Sequence, residues 1–464
     1  MKLHWLAVAS CALTACAPKV QLGDHLTDGA AEGGGSPSDG GDVGDGGATG
    51  PCDGAGSQTI SVDIFNTALY GPTGPAFAAR EQVLTGTHSP LQQSDATLMC
   101  LVGVDFTTDL AKLGAGFPYS YWVKTSVSTP FTNPDTQDGS VPPAPTAAPC
   151  AAVPQTTVTD AFECMIQNCN TSPGDPTGTL PGSTDCLSQS CASALGPLLL
   201  NQSYNACFDC IIDYVTTDQP YDTGQTACTS NAQAPFGYGG QLPLLILSRY
   251  PLTDSDAFIL PSTNYRQGVL FSRAQFGCNT VDFYCGSFTS TLNGAEEPYT
   301  GNYGAGGNPS TEGAGGAYAN EQLLQAQRLV EWVQQKSGMN HAIIVGDWWS
   351  SPGVGVADGG VLQALAPETL NLLSSAPGWT AVSGPQWMPQ CTVCPQSVNP
   401  LNAGLTQGYF TTQPFLYNWP QASTAVQQES LVFMQPNPAV TFGDAAAPVS
   451  PDFGLSFQVV NPAL

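Results

Sequence analysis

Residues His341 to Pro352 read His-Ala-Ile-Ile-Val-Gly-Asp-Trp-Trp-Ser-Ser-Pro, a short apolar run that ends on one carboxylate, Asp347. Four successive apolar residues closed by a glycine are too few for a helix and read as a buried strand. Such a strand delivers its carboxylate to a sheet end and leaves Trp348 and Trp349 just beyond it. Other runs of the same kind recur. Ile60 to Asn66 alternates like a strand and ends on an amide; Asp95–Val104, Leu242–Pro251, Arg266–Ser272 and Val281–Phe288 follow. Ala76 to Leu84, with Arg80, is a predicted helix. So is Asn320 to Lys336, with Leu323, Ala326, Val330 and Val333 on one face. Strands interleaved with helices place the chain in the α/β class.

The chain begins Met1-Lys2, and Trp5 to Leu13 is apolar but well short of the roughly 20 residues that a transmembrane helix needs. It ends in Leu13-Thr14-Ala15-Cys16, which resembles the bacterial lipobox with Cys16 as the lipidated residue. Residues 1–16 are therefore expected to be a lipoprotein signal peptide. Residues 17–57, rich in Gly, Asp, Ser and Pro, have almost nothing to bury and read as a disordered acidic tether. Their Asp-Gly steps lack the period of a calcium repeat. The expected location is the bacterial cell envelope, with acyl chains holding the protein to the membrane, most simply the outer one.

Ten Lys plus Arg stand against 36 Asp plus Glu, a formal charge of −26 over 464 residues. Nucleic-acid binding needs a basic footprint, so no nucleic acid is expected as partner. An unidentified protein or glycan is the partner class left open. Sixteen cysteines suit an oxidising compartment. Removing Cys11 with the leader and Cys16 by lipidation leaves an even fourteen.

Eight cysteines crowd into residues 150–228: Cys150, Cys164, Cys169, Cys186, Cys191, Cys207, Cys210 and Cys228. Short helical stretches separated by Pro/Gly/Ser turns carry them, and each apolar stripe is too small to fold alone. The segment reads as a disulfide-rich helical insertion whose pairing the sequence leaves open. Cys278 and Cys285 flank a strand and are candidates for a local or cross-turn pair; Cys391 and Cys394 complete the expected disulfide set. A zinc site built from Cys207, Cys210, Cys391 and Cys394 is the competing reading, and export with a surplus of other cysteines argues against it. The Gly-rich loop from Gly301 to Gly316 lacks the Gly-Lys-Ser/Thr of a phosphate-cradling loop.

Taken in order, the runs resemble the motifs of the endonuclease/exonuclease/phosphatase superfamily, the metal-dependent phosphodiesterases that include DNase I and bacterial sphingomyelinases. Val345-Gly346-Asp347 resembles its Gly-Asp-Phe-Asn motif, Ile60 to Asn66 its opening strand, and Leu247-Ser248-Arg249-Tyr250-Pro251 its Leu-Ser-Arg-Tyr-Pro strand and turn. Gln325 and Arg328 echo a helix of the family. The likeness covers residues 58–106 and 238–460. It implies a four-layered α/β sandwich over residues 58–464, two packed sheets flanked by helices and interrupted by 150–228.

Most of the family's chemical positions are changed. Asn66 and Asp347 are retained. Gly103 takes the place of the metal-binding glutamate, Ser287 that of a phosphate-contacting histidine, and Trp349 that of the asparagine. Pro451 and Asp452 occupy the final Asp-His pair, and Glu429 with Ser430 the pair before it. The four histidines, His4, His25, His88 and His341, fall elsewhere. The expectation is a scaffold that has lost catalysis and binds, with no cofactor. The alternative is a divalent-metal phosphodiesterase acting on a phospholipid or nucleotide, with Mg²⁺ held by Asp347 and Asp105.

Overall fold

The computed structural model of the chain describes residues 58–69, 76–104, 107–123, 147–168, 190–215, 221–232, 242–263, 266–277, 279–291, 299, 303, 314–352, 354–355, 361–362, 364–382, 391–402, 405–443 and 445–461. The expected signal peptide, Cys16, the tether, Asp105, Cys169, Cys186 and Cys278 lie outside these residues.

Each apolar run forms the element expected of it. The first sheet holds β1 (Gln58–Leu69), β2 (Leu98–Val104), β3 (Tyr119–Tyr121), β4 (Leu244–Ser248), β13 (Val426–Val432) and β16 (Gly454–Asn461), in the order β13-β16-β1-β2-β4-β3. The second holds β5 (Leu252–Ile259), β6 (Gly268–Phe276), β7 (Asn279–Ser287), β8 (Ala342–Asp347), β11 (Trp379–Ala381) and β12 (Phe415–Tyr417), in the order β11-β12-β8-β7-β6-β5. Two short hairpins, β9 (Val354–Gly355) with β10 (Val361–Leu362) and β14 (Asn437–Phe442) with β15 (Ala445–Ala447), complete the strands described.

Strand alternation explains why the sheets stack. Ile60, Val62, Ile64, Leu98, Cys100 and Val102 point from the first sheet into one core, where they meet Phe283, Cys285, Ile343 and Val345 from the second. The intervening residues point outward. Phe65, Met99 and Leu101 pack under α1 (Phe77–Thr85) and α2 (Thr107–Leu113). Tyr284 and Ile344 pack under α7 (Ala314–Ser337) and α8 (Pro367–Ser375). The result is helix, sheet, sheet, helix, the four-layered sandwich expected. No helix among the described residues is long and apolar enough to cross a membrane.

The insertion builds a separate core. Helices α3 (Gln155–Asn168), α4 (Ala192–Leu199), α5 (Asn205–Val215) and α6 (Tyr221–Ser230) enclose apolar residues drawn only from 150–228. Disulfides Cys150–Cys207, Cys164–Cys191 and Cys210–Cys228 staple it. Its ends meet where Cys150 N–H donates to Cys228 O at 2.9 Å, so the module interrupts the sandwich without forcing its strands apart. Cys391 pairs with Cys394. Cys207, Cys210, Cys391 and Cys394 are thus all oxidised, which removes the zinc reading.

One disulfide corrects the sequence reading. Cys285 pairs with Cys100, across 185 residues, and not with Cys278. Cys285 is an inward position of β7 and Cys100 an inward position of β2, so the sandwich brings their Cα atoms to 5.3 Å. Cys100 reads in the sequence as one more apolar core residue, and only the stacking of the sheets reveals its partner.

A staple closing so long a loop removes much freedom from the unfolded chain. Replacing Cys100 and Cys285 together by alanine is expected to cost about 3–5 kcal/mol in chemical denaturation. An unchanged midpoint would mean that the sheets need no staple.

Candidate functional site

The two retained motif residues meet. Asn66 Nδ2 donates to Asp347 Oδ2 at 2.8 Å, across the gap between the sheets, with both side chains 1% exposed. Asn66 Oδ1 accepts from Ala68 N–H at 3.0 Å, and Ser450 Oγ donates to Asn66 O at 2.7 Å. Sequence order separates Asn66 and Asp347 by 281 residues, so β1 and β8 deliver them independently to the same sheet end.

Asp347 depends on two glycines. Gly346 and Gly286 are register partners in the parallel pair β7–β8, and a Cβ at Gly346 would lie 2.1 Å from Gly286 O. A Cβ at Gly286 would press within 3.0 Å of the Trp348 ring. The glycine before Asp347 is therefore a packing requirement. It lets the strand end approach β7 closely enough for Phe288 N–H to donate to Asp347 O at 3.1 Å.

Asn66 depends on a buried arginine. Just past it β1 shifts register, and Ala68 takes a positive φ of 48°. Arg80, buried on α1, donates to Thr67 O and Ala68 O at 3.1 Å each, satisfying the carbonyls that the irregularity frees. The sequence offers one signal for this role: an arginine on the apolar side of a short helix.

The remaining family slots hold other residues, each with its own partners. Gly103 has φ 72°, and Thr67 Oγ1 donates to its carbonyl at 2.7 Å. That left-handed backbone is strained for a side-chain-bearing residue, so the glutamate slot differs in its backbone as well as its side chain. Ser287 ends β7, buried and level with Asp347. Glu429 adjoins Ser430, whose partner on β16 is Ser456; Ser456 also pairs with Asp63, so Glu429 lies short of Asn66 and two strands from β1. Pro451 O accepts from Asn399 Nδ2 at 2.9 Å and Asn402 Nδ2 at 2.8 Å. Asp452 is buried, its N–H donating to Ser450 Oγ at 3.1 Å. His341 precedes β8, at the opposite end from Asp347, with Nδ1 2.6 Å from Asn418 O. No group of three His, Cys, Asp or Glu among the described residues could hold a metal. Mg²⁺ prefers near-octahedral oxygen donors. One carboxylate, its Oδ2 engaged by an amide N–H, beside a glycine in the glutamate slot, falls short of that donor set among the described residues.

The tryptophans close the end of the strand. Trp348 is fully buried, its Nε1–H donating to Gln413 O at 2.6 Å and its ring 4.7 Å from that of Phe288. Trp349 takes φ 47° and packs on Leu365 and Val393. Both rings are thus core residues.

Around this end lies a polar belt that the sequence reading missed. Leu323 and Val330, expected on the buried face of α7, are only half-buried, and Glu321, Gln322 and Gln325 are fully buried instead. Gln322 Nε2 donates to Trp349 O at 2.9 Å and Thr289 O at 2.8 Å, and Gln325 Oε1 accepts from Thr289 N–H at 2.8 Å. Arg328 is half-buried and pairs with Glu331. Glu321 accepts from Thr263 N–H, Thr263 Oγ1, Thr289 Oγ1 and Tyr299 OH. Burial pushes its carboxyl above the ordinary range, and these donors oppose the shift.

No family model matches the sequence, and no curated protein does. Among solved structures the chain is similar to a beta toxin variant from Staphylococcus aureus with bound magnesium ions: 8% identity, 87% of this chain, 100% of that one, TM-score 0.45. It is similar to sphingomyelinase C from Streptomyces griseocarneus at 9% identity, over 87% of this chain and 99% of that one, with TM-score 0.43. Truncated TDP2 from Caenorhabditis elegans follows at 10% identity, 87% and 98% coverage, and TM-score 0.42. All three are members of the superfamily that the motifs resemble.

Glu321 gives a pH prediction. Its folded carboxyl holds a proton at a pH where the unfolded one has lost it, so its contribution to stability falls as pH rises from about 4.5. In Glu321→Gln the amide keeps Oε1 toward Thr263 N–H and Nε2 toward hydroxyls that can rotate to accept. Thermal melts from pH 4.5 to 7 are expected to show the variant gaining on the parent as pH rises. A constant difference would contradict this.

Proposed function

We propose that the chain is a lipid-anchored envelope protein whose endonuclease/exonuclease/phosphatase-like domain no longer hydrolyses phosphodiesters and serves as a binding or interaction module. One observation carries the reading: the two retained motif residues bond to each other, through Asn66 Nδ2 and Asp347 Oδ2. Asp347 is engaged by Asn66, Gly103 has no side chain to offer a metal, and Trp348 and Trp349 fill the space beyond the strand. Water activation in this family's manner needs a base of suitable pKa within reach, and Pro451 has no titrating group. Asp452 sits one position late, its backbone tied to Ser450 and bridged to Val393.

The anchoring half of the proposal rests on the Leu13-Thr14-Ala15-Cys16 run and the acidic, cation-free stretch from Gly33 to Asp42. The binding half rests on a well-packed sandwich that retains the family's motif order without its chemistry, and on the stapled module inserted into it. A charge of −26 disfavours nucleic acid and anionic surfaces as partners and leaves protein or neutral glycan.

The test is turnover of a generic phosphodiester, bis(p-nitrophenyl) phosphate, by the full chain with Mg²⁺ or Mn²⁺, beside Asp347→Ala. No turnover by either protein, with both folded by circular dichroism, is the expected result. Turnover that Asp347→Ala abolishes would mean that the site has been rebuilt around carboxylates such as Asp105, and that the domain is a working hydrolase.

A further inference from the structure

The Cys391–Cys394 disulfide closes a loop of only four residues, so it restrains the unfolded chain far less than Cys100–Cys285 does. Its position is more telling than its contribution to stability. The two residues between the cysteines carry backbone bonds in both directions. Thr392 N–H and Val393 N–H donate to Tyr409 O at 2.9 and 3.1 Å, and Tyr409 N–H returns a bond to Val393 O at 2.8 Å. On the other side Phe453 N–H donates to Thr392 O at 2.8 Å, and Val393 bridges Asp452. Thr392 Oγ1 accepts from Thr411 N–H at 3.0 Å, and Thr411 O accepts from Trp348 N–H at 2.8 Å. Val393 also packs against Trp349. The loop is thus a clasp between the Pro451–Asp452 segment and the segment that seats the tryptophans.

The two sulfurs differ in access. Cys394 is buried, whereas Cys391 is half-buried, and Cys100 and Cys285 are both fully buried. Among the described half-cystines only Cys164, in the inserted module, shares the intermediate exposure of Cys391. Cys394 Sγ lies 2.8 Å from Cys391 O, so a carbonyl acceptor stands ready for a thiol at Cys394, and Asn402 Nδ2 holds Cys394 O at 2.8 Å. Thiol–disulfide exchange requires an accessible sulfur to attack, and Cys391 supplies it.

We infer that Cys391–Cys394 is a thiol–disulfide exchange site for a dithiol reductant, and that its reduction loosens the clasp over the Trp348–Trp349 end of the sandwich. The reductant's thiolate attacks Cys391 Sγ, breaking the Cys391–Cys394 bond. Cys394 leaves as thiolate and takes a proton. The reductant's second thiolate then attacks the mixed disulfide and releases Cys391, so the protein gains two electrons and two protons while the dithiol becomes a disulfide. The inference does not depend on whether the domain binds or hydrolyses.

The full chain is titrated with dithiothreitol under native conditions, quenched with an alkylating agent and mapped by mass spectrometry, with amide hydrogen exchange followed in parallel. Alkylation of Cys391 and Cys394 is expected while Cys100 and Cys285 stay paired. Exchange at Thr392, Val393, Tyr409 and Phe453 is expected to rise on the order of tenfold or more, with the sheets still protected. The Cys391→Ser, Cys394→Ser double variant is expected to exchange as fast at these amides without reductant. A pair that stays oxidised until the whole domain unfolds would overturn the inference. So would reduction, or the double variant, leaving those four amides unchanged.

Discussion

Two sheets that stack face to face can bury apolar side chains freely, but the polar groups at their strand ends must find partners across the gap or bear a desolvation cost. Here Asn66 and Asp347 are those partners. Their 2.8 Å bond joins β1 of one sheet to β8 of the other, and much of the surrounding structure serves to hold it. Arg80 satisfies the carbonyls just past Asn66, Ser450 holds its own carbonyl, and the glycine pair Gly286–Gly346 brings the Asp347 strand end into place. Deeper in the same interface Cys100–Cys285 ties the sheets covalently.

The residues around this pair are closely held as well. Asp347 is buried and takes a hydrogen bond from an amide. The changes around it form a consistent set. The left-handed backbone at Gly103 suits glycine better than glutamate, and the backbone bonds that Asn399 and Asn402 make to Pro451 suit a fixed wall better than a base. The hydrogen-bonding capacity of α7 likewise turns inward, toward Thr289 and the Trp349 carbonyl, and stiffens the end of the strand.

The sandwich was legible in the sequence because apolar alternation of period two and helical periodicity are local signals. Ile60 to Asn66 and Ala342 to Asp347 became the strands expected, and the Cys-rich stretch became a separate stapled module. Interactions between elements were not legible. Cys100 carries no mark that separates it from a core apolar residue, and its pairing with Cys285 exists only because β2 faces β7. Arg80 on its short helix, and Glu321 on a helix whose expected stripe is buried only at Ala326 and Val333, are buried polar residues. Their partners come from distant strand ends that no periodicity encodes. At the site, the identity of each replaced residue could be read, but the direction in which Asn66 and Asp347 turn, toward each other, could not.

The most direct test is a double-mutant cycle on Asn66→Ala and Asp347→Ala, measured by chemical denaturation with and without Mg²⁺. If the pair is a structural bond between sheets, its coupling energy is about 1–3 kcal/mol and is the same in both conditions. A coupling near zero would mean that the pair does not bond the sheets, and a parent protein that Mg²⁺ stabilises only while Asp347 is present would mean that the carboxylate serves a metal.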